Sequence, residues 1–167
     1  LRRQRQMCIR DSSLAALSDL SYRDLAYEIM KLYFTDFTEE ELRFCIDHAY
    51  DKKFDTEEIA PVVKEGKDYY LELFHGKTLA FKDMALSILP YLMKVSTKKN
   101  AIREKIVILT ATSGDTGKAA LEGFSDVEGT EIIVFYPKDG VSEFQEKQMK
   151  VQKGKNTHVA AILGNFD

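Results

Sequence analysis

The chain has 167 residues, 44% of them hydrophobic and 31% charged, with two Cys, three Pro and a formal charge of −3. These totals fit one soluble globular domain and exclude a disordered or collagen-like chain, a disulfide-knit scaffold and a polycation built for nucleic acid. No apolar run approaches the roughly eighteen residues that a membrane span needs.

The first twelve residues, LRRQRQMCIRDS, hold four of the seven Arg, at Arg2, Arg3, Arg5 and Arg10, whereas all seventeen Lys lie from Lys31 onward. A basic arm or a transit peptide would account for such a cluster. The segment has neither the apolar stretch of a secretory signal nor a sustained amphipathic pattern, and its Arg usage does not match the body. It reads as foreign sequence, similar to translated adapter or vector read-through. Without its four Arg and Asp11 the body falls to about −6, further from any nucleic-acid binder. Cys8 leaves with it. Cys45 then has no internal partner, which points to a reducing compartment and a cytoplasmic protein.

From Ser18 to about Lys53 the pattern is helical. Ser21 reads as an N-cap with Asp24 at the third helical position, and Leu25, Ile29, Leu32 and Tyr33 fall on one face. Thr38-Glu39-Glu40-Glu41 fits a capping box, followed by the stripe Leu42, Cys45, Ile46 and Ala49. Cys45 on that stripe reads as a small buried hydrophobe rather than a ligand or nucleophile.

A linker with Pro61 covers Phe54 to Gly66. Beyond it short apolar runs alternate with helical ones: strands are predicted at Tyr69 to Phe74, Lys105 to Ala111, Glu131 to Tyr136 and Thr157 to Leu163. Helices are predicted at Lys82 to about Lys98, Gly117 to Phe124 and Ser142 to Lys153, the first kinked or broken at Pro90. The runs Ile106 to Leu109 and Ile132 to Phe135 lack alternation, as strands covered on both faces by helices do. The fold class is α/β, with a helical segment leading into part of a parallel sheet.

In a parallel sheet, ligands collect beyond the carboxyl ends of the strands. Two strand-to-helix turns stand out, His75 to Asp83 (HGKTLAFKD) and Thr110 to Gly117 (TATSGDTG). Glycines and small hydroxyls at a helix start offer unpaired amides to a phosphate or a carboxylate. Gly117-Lys118 ends like a Walker A loop, but Ala119 stands where that loop needs Ser or Thr and no glycine lies five residues before Gly117. Asp115-Thr116-Gly117 matches the aspartic-protease triplet in letters only, and a glycine-rich turn serving chain reversal alone stays open as a further reading.

Lys82 carries more information. An arbitrary Lys is a solvated surface charge, but here Ala80 and Phe81 flank it at a helix start. Partial desolvation there would favour the neutral, nucleophilic amine. A reactive amine beside an anion-binding loop suits a carbonyl cofactor bearing a phosphate, and pyridoxal phosphate, whose ring is an electron sink, is the clear case.

The motifs LELFHGKTLAFKD (Leu71 to Asp83), ILTATSGDTGKAALEGF (Ile108 to Phe124), VFYPKDGVS (Val134 to Ser142) and GNFD (Gly164 to Asp167) resemble the threonine synthase family, pyridoxal-phosphate lyases of fold-type II. Related dehydratases and cysteine synthases usually carry Asn where this chain has Asp115. The resemblance runs from about Ser18 to the end. It implies conversion of O-phospho-L-homoserine and water to L-threonine and phosphate, with Lys82 holding the cofactor as a Schiff base and shuttling protons once freed. It also implies that Phe81, Ser113, Gly114, Asp115 and Thr116 border the cofactor and that Thr112, Ser113 and Thr116 bind the substrate carboxylate. Asp115 would repel an anionic substrate and is expected to orient loop donors instead. His75 is either a direct donor or a supporting residue behind one. Lys77 replaces the Pro common in the family's HGPT, and Leu163 replaces an Asp before GNFD.

The implied organisation is a foreign tail over 1–12, a helical segment and linker over 13–66, and a partial cofactor domain over 67–167. The sequence is expected to be an N-terminal fragment, with Asn165 the cap of an unwritten helix and the loops for the cofactor phosphate and pyridine nitrogen beyond it. Its partner is a small-molecule substrate, not a nucleic acid or a membrane, and oligomeric state is left open. Another fold-type II lyase or dehydratase, or a non-catalytic module binding a phosphorylated metabolite, remains as the alternative.

Overall fold

The computed structural model describes residues 14–112 and 114–164. The Arg-rich segment, Ser113 and Asn165 lie outside them. A short α1 (Leu14–Leu17) precedes α2 (Tyr22–Met30) and α3 (Glu39–Ala49). Both longer helices start as the sequence indicates. The Ser21 hydroxyl accepts from the Asp24 N–H, and Thr38 and Glu41 exchange side-chain-to-backbone hydrogen bonds in a full capping box.

The stripe Leu42, Cys45, Ile46 and Ala49 is buried and forms the centre of a first core with Tyr50, Phe54, Ile59, Ile88 and Val95. Burial pushes the Cys45 thiol up to about 12, so it stays an inert thiol at neutral pH. The expected face of α2 differs. The helix ends at Met30, leaving Leu32 and Tyr33 in the turn beyond it, and the residues packed on the core are Tyr22, Ala26, Tyr27 and Met30. The T-shaped Tyr22–Tyr50 ring pair, with centroids 5.0 Å apart, sets that rotation of the helix.

The segment read as a linker contains a strand. β1 (Val62–Glu65) pairs antiparallel with β2 (Asp68–Leu71) around Gly66-Lys67, with Gly66 at φ 61 in the first central position of a two-residue turn. Every residue of both strands is exposed. The predicted strand Tyr69 to Phe74 is therefore half of a hairpin and not a member of the parallel sheet.

α4 (Asp83–Leu86) and α5 (Leu89–Lys99) replace one long helix, and the break falls where Pro90 required it, at the second position of α5. The pair joins both halves of the fold. Ile88 and Val95 belong to the first core, while Leu86 and Met93 pack on the second.

β3 (Ile106–Ala111), α6 (Asp115–Phe124), β4 (Thr130–Pro137), α7 (Glu143–Lys150) and β5 (Thr157–Ile162) form a parallel sheet in the order β3-β4-β5. Ala120, Leu121 and Phe124 of α6, Ile132, Val134 and Tyr136 of β4, and Met149 of α7 make the second core.

The expectation of helices on both faces is not met among the described residues. Along β3 exposure alternates, with Val107 at 53% and Leu109 at 66% on the face away from the helices. Three parallel strands in sequential order, joined by crossovers of one hand, send both connecting helices to the same side. Non-alternating apolar sequence reports two-sided strands, not the presence of both covers.

Candidate active site

The two turns singled out in the sequence meet at α6. The first begins at His75, whose carbonyl accepts from the Asp55 N–H at 3.0 Å. Its Nδ1 lies 2.5 Å from Asp55 Oδ1 and its Nε2 2.9 Å from Glu72 Oε2. The Glu72 and Asp55 carboxylates raise the His75 pKa above its ordinary value of 6.5. With both ring nitrogens engaged, the imidazole ties the residues after α3 to the hairpin exit.

Past Gly76 the chain folds back on itself and Asp83 turns inward, only 4% exposed. Asp83 Oδ2 accepts from the Thr78 N–H at 2.7 Å and Oδ1 from the Thr78 hydroxyl at 2.5 Å. These bonds compensate the burial of the carboxylate. Lys82, the N-cap of α4, is half-buried, and its carbonyl accepts from the N–H groups of Ala85 and Leu86. Its Nζ sits 4.8 Å from the centroid of the Phe81 ring, which is itself 60% exposed. Phe81 thus faces outward beside the amine.

The second turn leaves the carboxyl end of β3. Thr112 is buried, its N–H donating to the Phe135 carbonyl and its hydroxyl accepting from the Gly114 N–H at 3.4 Å. Gly114, the N-cap of α6, is buried and makes no side-chain capping bond, and the Gln145 side chain lies against it, 2.4 Å from where a Cβ would stand. The first-turn amides of such a helix start are groups that an anion can engage. Asp115 is exposed in the first helical turn, where a carboxylate complements the helix dipole, and Thr116 is half-buried beside it. Gly117 is needed for packing: a Cβ there would come 2.3 Å from Thr112 Cγ2 and 2.9 Å from Val134 Cγ1.

α6 holds the two turns together. Lys118 Nζ donates to the Thr78 carbonyl at 2.9 Å, Lys77 pairs with Glu122 at 3.4 Å, and Gly123 lies against the Leu86 carbonyl so closely that a Cβ would reach 2.3 Å from its oxygen. The sequence reading assigned no role to Thr78, Asp83, Lys118 or Gly123. Thr78 and Asp83 lie inside a motif already singled out, so their signal was present. Lys118 is forty residues from its partner and carries none.

Comparison with known proteins gives consistent findings. A family model described as "Threonine synthase N terminus" matches residues 5–50, a span that takes in part of the Arg-rich segment. Threonine synthase of Pseudomonas aeruginosa is 38% identical over 156 residues, covering 92% of this chain and 33% of that protein. Among solved structures, threonine synthase from yeast superimposes with a TM-score of 0.82 at 32% identity, over 93% of this chain and 34% of its own. The pyridoxal-phosphate-bound threonine synthase from Brucella melitensis gives 0.82 at 34% identity, over 92% and 33%. The chain spans about a third of the length of the relatives it matches.

Proposed function

Because the chain belongs to the threonine synthase family over the third of those enzymes' length that it spans, we propose that the whole protein converts O-phospho-L-homoserine and water to L-threonine and phosphate with pyridoxal phosphate. The observation that carries this is that α6 joins the turn bearing Lys82 to the turn at its own start, through the bond from Lys118 to the Thr78 carbonyl and the close fit of Gly123 on Leu86. The donor set suits the cofactor and substrate: one amine, the first-turn backbone amides of α6, and the Thr112 and Thr116 hydroxyls. With this assignment goes a division of the chain into a helical segment and linker over 13–66 and a partial cofactor domain over 67–167, a boundary that falls at the turn of the β1–β2 hairpin.

When bound, pyridoxal phosphate supplies an electron sink for negative charge formed beside the substrate nitrogen. Lys82 would hold it through Nζ. With its amine free, Lys82 would take the proton from Cα and assist removal of one from Cβ, as phosphate departs from Cγ. Lys82 would then return a proton to Cγ, and water would add across Cα and Cβ, its hydroxyl to Cβ and a proton to Cα, with the remaining proton leaving on the phosphate. Thr112, Ser113 and Thr116 receive the substrate carboxylate with the α6 amides, while Gly114 lets the backbone border the ring. Asp115 orients these donors, since its own charge would repel an anionic substrate. Phe81, exposed beside the amine, gives the ring an apolar wall.

Among the described residues no helix is long and apolar enough to cross a membrane. Cytoplasmic placement accords with Cys45, a buried thiol. Release of phosphate and threonine from O-phospho-L-homoserine tests the reading. The protein should form the two in equal amounts and Lys82→Ala should form neither, whereas turnover of a different amino acid without threonine would overturn it.

A further inference from the structure

We infer that Asp83 is a positioning residue that fixes the direction in which the Lys82 amine leaves the turn, an inference that rests on Lys82 being the cofactor lysine. Neighbours in sequence, the two differ in placement. Asp83 points into the protein, only 4% exposed, while Lys82 stays half-buried. A carboxylate is buried at such a place only with its oxygens satisfied, and both are taken by Thr78. The two bonds close a clasp around residues 79–82, the stretch that carries Lys82.

Three further observations show that the clasp shapes this turn. Gly76 leaves the room for it, since a Cβ at Gly76 would stand 2.4 Å from Asp83 Oδ2 and 2.6 Å from Asp83 Cβ. Leu79 sits at φ 61, a left-handed conformation that residues with side chains avoid, and it persists where surrounding bonds over-determine the backbone. The Thr78 carbonyl is held from the other side by Lys118 of α6. Thr78 therefore spends its N–H and hydroxyl on Asp83 and its carbonyl on the helix that begins at the second turn. Loss of the Asp83 carboxylate would free the stretch that carries Lys82 and let the amine sample directions other than the one it holds beside Phe81. Small misplacements of a reacting group reduce its rate strongly.

Selectivity among the lysines of one molecule separates positioning from a general contribution to stability. The protein is incubated with pyridoxal phosphate, reduced with borohydride and digested, and the label on Lys82 is compared with that on the other lysines. Wild type should concentrate label on Lys82. Asp83→Ala should cut the Lys82 share about tenfold with the other sites unchanged, and Asp83→Asn, which can still bond both Thr78 groups, should restore it to within about threefold. Thr78→Val removes only the hydroxyl bond and should fall between; it decides the matter if Asp83→Ala does not fold. Wild-type labelling of Lys82 in folded Asp83→Ala or Thr78→Val overturns the inference, as does an equal loss in Asp83→Asn and Asp83→Ala. Wild type that shows no preference for Lys82 overturns the cofactor-lysine reading itself, a separate result seen before any variant is made.

Discussion

The two cores of this chain are closed to different degrees. Around Cys45 the helical core is enclosed by α2, α3, α5 and the residues up to Ile59, and its central side chains are almost fully buried. The sheet core is as dry on the helix side, where Leu121, Ile132 and Val134 are fully buried, but Leu109 on the other face is 66% exposed. The helical core draws on segments from Tyr22 to Val95, with α5 packed on α3 across a long separation in sequence, and these helices surround it. In the sheet both connecting helices, α6 and α7, lie on one side, so the face with Val107 and Leu109 is left exposed.

Substitutions should reproduce that asymmetry. Leu121→Ala should cost about 2–5 kcal/mol in urea unfolding, because it leaves a cavity in a packed layer, while Leu109→Ala in this chain should stay within about 0.5 kcal/mol. Comparable losses at both positions would show that the exposed face is covered in solution. Gly123→Ala should cost about 1–3 kcal/mol, since the added methyl meets the Leu86 backbone carbonyl and α4 must move away from α6. This change acts where the two cores are joined, and the thermal midpoint reports it.

Thr38→Ala removes one bond of the capping box and should cost about 1 kcal/mol, read by helical circular dichroism through a denaturant titration. A smaller effect should come from the His75 tie between Asp55 and Glu72. Its folded pKa is raised, so its stabilisation is fully present below about pH 6.5, the ordinary value, and is lost as the pH rises through the higher folded value. The thermal midpoint should decline over that window in wild type and be flatter in His75→Gln; equal slopes would remove the tie from the account.

Legibility in the sequence followed range of interaction. The Ser21 and Thr38 caps, the Cys45 stripe, the break at Pro90 and the strands of the parallel sheet are set by residues within a few positions of each other, and they stand where the sequence indicated. The hairpin was hidden because Pro61 and a four-residue strand look like a linker, although Gly66-Lys67 between two short runs was its signal. The motifs pointed to Lys82 and the 112–117 turn as the places for chemistry. The means of holding them was not readable, because the Asp83 clasp depends on a buried direction of one side chain and the Lys118 bond joins positions forty residues apart. Ser113 lies outside the described residues and keeps its assignment from the motif alone.

The central claim is that Lys82 holds pyridoxal phosphate, and its most direct test is the visible Schiff-base absorption of the protein saturated with that cofactor. The account predicts one equivalent of absorption, abolished by borohydride reduction and absent in folded Lys82→Ala. Full absorption in Lys82→Ala would contradict it.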